Sequence, residues 1–247
     1  MVDKKEPYIG FYTENSISPV RQDISNIDIH FSRRANLYYF LGLPPFAING
    51  ASVLEFGPGS GHNALYTLSL KPKNYVLVDA NPKGLSEAEE LLHTHFPKDE
   101  ICKFVASKVQ DFKSKNVFDL VICEGLLAHQ KNPTKFIKHV GNFVKMGGVL
   151  TITTSDYIGQ FSEVLRRLIR TRLIPPDTDL AQQKKILEPI FKPHFETIAG
   201  RSRPFEDWLL DNIIIPYRSG MFTYQEAVEA LSNDFVAYGS SPNFTTE

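Results

Sequence analysis

An α/β fold with a parallel sheet covered by helices on both faces is predicted by three features of this 247-residue sequence. Short, nearly continuous apolar runs alternate with amphipathic stretches of helical period. Gly, Pro and Asn punctuate the junctions. The alternation persists long enough to give five strands by residue 155, which is the signature of repeated βαβ units.

The elements follow in order. The first helix is predicted over Ser25 to Leu41, where Ile27, Phe31, Leu37, Tyr38 and Leu41 fall at helical spacings, Ser25 stands as its cap, and Pro44 and Pro45 stop it. The run SVLEF is the first strand, followed by glycines and a helix from His62 to Leu70; YVLVDA is the second, followed by a helix from Pro82 to Phe96. ICKFVAS and FDLVICEG are the third and fourth strands, a helix spans Pro133 to Val144, and VLTITTSD forms the fifth strand after a turn at Gly147 and Gly148. From Tyr157 to Met221 the rhythm breaks into three helical stretches interrupted by prolines 175, 176, 189, 193, 204 and 216, which reads as an inserted helical region. It resumes with a helix from Phe222 and Thr223 through Leu231 and an expected sixth strand, DFVAYGSS.

Three regions follow: an N-terminal helical lid, 1–48; a core, 49–156 with 222–247; and an insertion, 157–221, expected to form the acceptor pocket. Apolar residues at 42% and charged residues at 22% suit a globular chain of ordinary composition. The formal net charge of −1 supplies no global field for nucleic acid or anionic membranes, so neither is expected as a partner. Cys102 and Cys123 lie in strand-like apolar runs, without disulfide or metal-ligand spacing, so no metal is expected. The first residues lack a signal-peptide core and no stretch is long enough to span a bilayer, so a cytoplasmic protein is expected.

The segment Glu55-Phe56-Gly57-Pro58-Gly59-Ser60-Gly61 joins the first strand to its helix. Glycines there let a ligand approach the backbone, and the helix start offers unpaired N–H groups. A dinucleotide fold needs G-x-G-x-x-G, but the place of the third small residue is taken by His62. Glu55 would repel a pyrophosphate and attract the ammonium of a methionyl group.

LEFGPGSG resembles motif I of the class I S-adenosylmethionine-dependent methyltransferases, and the resemblance continues through VLVDANP, FVASKVQDF and FDLVICEGLLAHQ to the end of the fifth strand. It implies a Rossmann-like core with S-adenosylmethionine as cofactor and S-adenosylhomocysteine as product. It also implies cofactor contacts from Glu55, Gly57, Gly59 and Gly61 around the methionine portion and from Asp79 with Ala80 at the ribose. Val109 and Gln110 would flank the adenine, and Glu124 and Gly125 would line the sulfonium side. Lys108 departs from the family, which often carries an acid there. The stretch HFSRRANLYYFLGLPP with the glycine segment is similar to methyltransferases associated with bacterial capsule and surface-polysaccharide biosynthesis.

Methyl transfer is an in-line displacement that asks the protein for alignment and a proton acceptor. His129, after the fourth strand, and Asp156, after the fifth, are the candidate catalytic groups; Asp156 is equally suited to capping the next helix. Arg166, Arg170, Arg201 and Arg203, with Arg218, suit anionic groups on an acceptor, and Asp207 and Asp211 share a helix face. His30, Arg33 and Arg34 are placed to close over the cofactor.

The function expected is therefore O-methylation of a small anionic metabolite, phosphorylated or nucleotide-linked, such as a surface-polysaccharide precursor. An NAD-dependent oxidoreductase or epimerase, a nucleic-acid methyltransferase and a non-enzymatic scaffold are the alternatives; the oligomeric state stays open, a homodimer among the options. Because the chain stops soon after its sixth strand, either a missing C-terminal segment, the insertion or a partner chain is expected to cover the last strand's edge.

Overall fold

In the computed structural model, which describes residues 7–98, 100–215 and 221–243, the five core strands are β1 Ser52–Phe56, β2 Asn74–Asp79, β3 Cys102–Ala106, β4 Phe118–Cys123 and β5 Val144–Ile152. All pairings are parallel and the order is β3-β2-β1-β4-β5. The chain thus builds outward from β1 on one side, then crosses back to place β4 on the other. That reversal leaves a crevice beyond the carboxyl ends of β1 and β4, the place where open α/β sheets bind ligands.

Strand alternation divides the core in two. Val53, Tyr75, Leu77, Leu120 and Ile122 face helices α2 Ile27–Phe40, α4 His62–Ser69 and α5 Pro82–His95, whereas Leu54, Phe56, Val78, Val121 and Cys123 face α6 Pro133–Gly141 and α10 Tyr224–Leu231. The central strands β1 and β4 are buried on both faces, which is why they read as continuous apolar runs rather than alternating ones. Asn81 and Asn132 cap α5 and α6, each with a proline at the first helical turn.

Four details differ from the sequence-based expectation. Asn26 caps α2 in place of Ser25, whose N–H and hydroxyl are taken by the Asp23 carboxylate. Two short helices, α1 Pro7–Asn15 and α3 Pro45–Ile48, were not foreseen. Gly147 and Gly148 lie inside β5, where the register shifts opposite Phe118 and Leu120, so they form an irregularity in the strand and not its starting turn. The run Asp234 to Ser241 is not a strand: Phe235 folds back onto α6 at Gly141, Val236 and Tyr238 face solvent, and the Tyr238 hydroxyl binds the Gly42 carbonyl. Among the described residues no strand pairs with the outer edge of β5, which borders a cavity walled by α10 and residues 234–241; a single antiparallel bridge joins Ser155 to Phe222 beyond the strand's end.

The inserted region forms α7 Tyr157–Leu173, α8 Leu180–Thr197 and α9 Phe205–Leu209, the last continued by a wide turn, Leu210–Ile214. Leu187, Phe191 and Phe195, at four-residue spacing on α8, pack with Trp208, Leu209 and Ile213 and receive Phe11 and Ile17 from the N-terminal segment. This third core anchors α1 over the carboxyl end of the sheet.

Candidate functional site

The crevice at the switch point is a cavity of about 360 Å³, within the range of small-molecule sites. Its floor is the turn after β1. The Gly59 N–H donates to Asp79 Oδ2 at 3.1 Å and the Asn81 N–H to Oδ1 at 2.8 Å, so one carboxylate clamps the turn and the end of β2 together. Gly59 has φ +55°, and a Cβ there would lie 2.3 Å from Val20 Cγ2, so the N-terminal segment presses directly on the turn. Gly61 serves a different purpose. It caps α4 at φ +79° and lets Ala88 of α5 approach to where its own Cβ would be, 2.8 Å from the Ala88 Cα; it packs two helices and does not line the cavity.

Acidity dominates the closed end. Burial pushes Glu55 up to about 7, against the lowering effect of a hydrogen bond from the Tyr75 hydroxyl. Burial likewise pushes Asp79 up to about 6 despite its backbone donors. Glu124 is held by a fork from Arg34, with Nη1 and Nη2 each at 3.0 Å from a different oxygen, while Arg34 also donates to the Tyr38 hydroxyl. Arg34 therefore neutralises Glu124 from behind, while Glu55, bonded by the Tyr75 hydroxyl, and Asp79, bonded by backbone N–H groups, also line the cavity.

Lys108, Val109 and Gln110 line one flank, with the Gln110 amide donating to Gln130 Oε1 at 3.0 Å. At the far end, the two tyrosines were not foreseen in the sequence. That end brings Tyr8 and Tyr12 of α1 against His129, Arg203 and Asp211. Tyr12 donates to Asp211 Oδ1 at 3.1 Å, Arg203 pairs with Oδ2, and the Tyr8 and His129 rings stack with centroids 4.8 Å apart. The i, i+4 spacing of the two tyrosines was the available signal, hidden in a short helix of weak amphipathicity. His129 is partly buried, its Nδ1 has no hydrogen-bond partner, and desolvation holds its pKa below the usual histidine range.

Of the residues singled out in the sequence, Glu55, Gly57, Gly59, Asp79, Ala80, Val109, Gln110, Glu124, Gly125, His129, Arg203 and Asp211 line this one cavity. Others lie elsewhere. Asp156 is an exposed cap that accepts the Gly159 N–H. Arg166 lies over the Trp208 ring, Arg170 donates to Gln183 and Arg201 to the carbonyls of Glu196 and Ile198. Asp207 is fully buried and paired with Arg21. His30 bonds the His62 carbonyl beneath the cavity, Arg33 is exposed, and Arg218 falls outside the described residues.

Residues 48–192 match a family model described as a methyltransferase domain. Among characterised proteins, a tRNA U34 carboxymethyltransferase of Campylobacter fetus is 34% identical over 117 residues, 47% of this chain and 40% of its own length. A second, from Helicobacter pylori, is 28% identical over 135 residues, 53% of this chain and 51% of its own. The chain thus spans about half or less of these relatives. Among solved structures, magnesium protoporphyrin IX methyltransferase of Synechocystis aligns over 94% of this chain and 88% of its own (TM-score 0.56, 12% identity), and PKMT2 of Rickettsia typhi over 81% and 41% (TM-score 0.58, 15% identity). These two share the fold.

The tRNA-directed relatives overturn the expectation of a small anionic acceptor with no nucleic-acid partner, and they carry no link to capsule synthesis. The small anionic acceptor was expected from the arginines of the insertion, most of which lie outside the cavity, and the absence of nucleic acid from whole-chain net charge, an average that says nothing of how charges are grouped. No helix among the described residues is long and apolar enough to cross a membrane.

Proposed function

This chain belongs to the class I S-adenosylmethionine-dependent methyltransferases, residues 48–192 matching their methyltransferase domain, and from that premise we propose that it alkylates a tRNA nucleoside, with uridine 34 as the acceptor class for which its relatives are named. The observation that carries the reading is that one cavity at the sheet's switch point is lined by the buried acids Glu55 and Asp79 and by His129.

The residues fit the cofactor. Glu55 suits an ammonium, Asp79 suits ribose hydroxyls, and the glycine turn admits a ligand against its backbone. When bound, the cofactor supplies a carbon activated by a sulfonium leaving group. His129, which lines the cavity, would take the acceptor's proton, while the cofactor would supply the transferred carbon and leave as a neutral thioether. Because His129 is held neutral by burial, it is in its basic form at physiological pH. Arg203 is the cation that would meet a carboxylate on the transferred carbon, as in a carboxymethyl group.

Incubation with unmodified tRNA and S-adenosylmethionine or its carboxylated counterpart, followed by mass analysis of the digested nucleosides, tests this. A new alkylated uridine supports the reading, and absence of transfer from either donor rejects it. His129→Ala is expected to lower turnover about 100-fold with S-adenosylhomocysteine affinity within about threefold of wild type; unchanged turnover would remove His129 from the chemistry.

Cofactor affinity carries a pH signature. A cation favours the ionised form of Glu55, so binding releases the proton that the empty site retains below about pH 7. Affinity for S-adenosylhomocysteine is expected to rise about tenfold from about pH 5.5 to about pH 7.5. Calorimetry in buffers of different ionisation enthalpy reads both the slope and the proton released; a flat profile would dissociate Glu55 from the ammonium.

A further inference from the structure

Helix α7 is amphipathic in the reverse sense. Three of its four arginines face the protein: Arg167 is buried and donates to the carbonyls of Ile215 and Asp211, Arg166 covers Trp208, and Arg170 reaches Gln183. Its apolar side chains face outward, with Ile158 90% exposed, Phe161 62%, Leu165 42% and Leu168 52%. Ile169 and Leu173 widen the stripe, and none of these residues belongs to any of the three cores. A contiguous apolar stripe along a helix of about 25 Å exceeds the scattered apolar exposure normal for a monomer.

The shape of the missing partner is encoded in the spacing. Ile158, Phe161, Leu165 and Leu168 recur at intervals of three, four and three, the seam that packs against a second helix. Charge then selects the partner. Arg172, exposed, continues the same seam four residues past Leu168, and exposed Asp156 stands at the opposite end. A parallel pairing of two α7 helices would set two Arg172 guanidinium groups side by side. An antiparallel pairing about a twofold axis near Leu165 brings each Arg172 toward the Asp156 carboxylate of the other copy, and opposes the helix dipoles.

We propose that α7 is the contact between two copies of this chain, packed antiparallel through the Ile158–Phe161–Leu165–Leu168 seam. The same helix ties its inner face, through Arg167, to the backbone of Asp211 at the acceptor end of the cavity, so pairing steadies that wall.

Sedimentation of the full chain from about 1 to about 100 µM, the range suited to a small interface, reads the association directly. The expected result is a concentration-dependent dimer. Leu165→Arg and, separately, Phe161→Glu are expected to shift it to monomer by at least tenfold in dissociation constant, with unchanged helical circular dichroism because both positions are exposed. Arg172→Glu, which sets like charges together at both ends, is expected to weaken it as well. A wild-type monomer throughout that range, a monomer that instead floats with phosphatidylglycerol vesicles, or a dimer indifferent to Leu165→Arg would each overturn the proposal.

Discussion

Asp79→Asn is expected to weaken S-adenosylhomocysteine binding by about 100-fold, equivalent to about 2.7 kcal/mol, while leaving the thermal midpoint within about 3 °C of wild type. The carboxylate is the acceptor at the end of β2 facing the cavity, and hydrogen bonds to a charged group contribute about 1.5–3 kcal/mol each. The same carboxylate is costly to the empty protein. Its folded pKa, near 6, lies above the ordinary value of 3.8, so its ionised form opposes folding at neutral pH, and that penalty fades as pH falls through 6. Asn removes the charge and keeps one acceptor oxygen for Gly59 or Asn81, so the lost hydrogen bond and the relieved burial of charge offset one another. Titration calorimetry with scanning calorimetry checks both halves; an affinity within threefold of wild type would place the ribose elsewhere.

Gly61→Leu is expected to cost about 3 kcal/mol or more of stability and to lower the thermal midpoint by about 10 °C. Two independent penalties meet at this position. Its backbone is left-handed, and the nearest atoms to an added Cβ are the Cα and Cβ of Ala88, both at 2.8 Å, which belong to a helix and cannot turn aside. By contrast, the atom facing Gly59 is a Val20 side-chain carbon in the N-terminal segment, which can shift. The pair therefore separates two glycine positions in one turn: Gly61 packs two helices, whereas Gly59 lines the cavity beneath the N-terminal segment. A Gly61→Leu variant that melts with the wild type would show that α4 and α5 can move apart.

The end of the cavity around Tyr12 explains why part of the site escaped sequence reading. Tyr12 and Asp211 are joined across 199 residues, and nothing local to either marks the other as its partner. Arg34 and Glu124 form the fork behind the cavity across 90 residues; in sequence Arg34 is one of several cations on an amphipathic helix, and only the fold shows it neutralising an acid. The arginines of α7 misled in the opposite direction. A run of four cations suggests an anion pocket, yet Arg166, Arg167 and Arg170 turn inward to rings, carbonyls and an amide, because the apolar side of their helix is the one left facing out.

What the sequence determined by itself is the part governed by short-range physics: the five core strands from their apolar runs, helix starts at Pro82 and Pro133, and the acidic glycine turn with Asp79 at the next strand end. These signals lie within a few residues of one another, so local propensity and spacing suffice. Tertiary structure decided everything that depends on which distant segments meet: the pairing of Tyr8 with His129, the burial that lifts Glu55 and Asp79, the fate of Asp234 to Ser241 and the outward face of α7. Burial and long-range contact are properties of the folded whole, and a side chain's charge state and partner follow from them rather than from its neighbours in the chain.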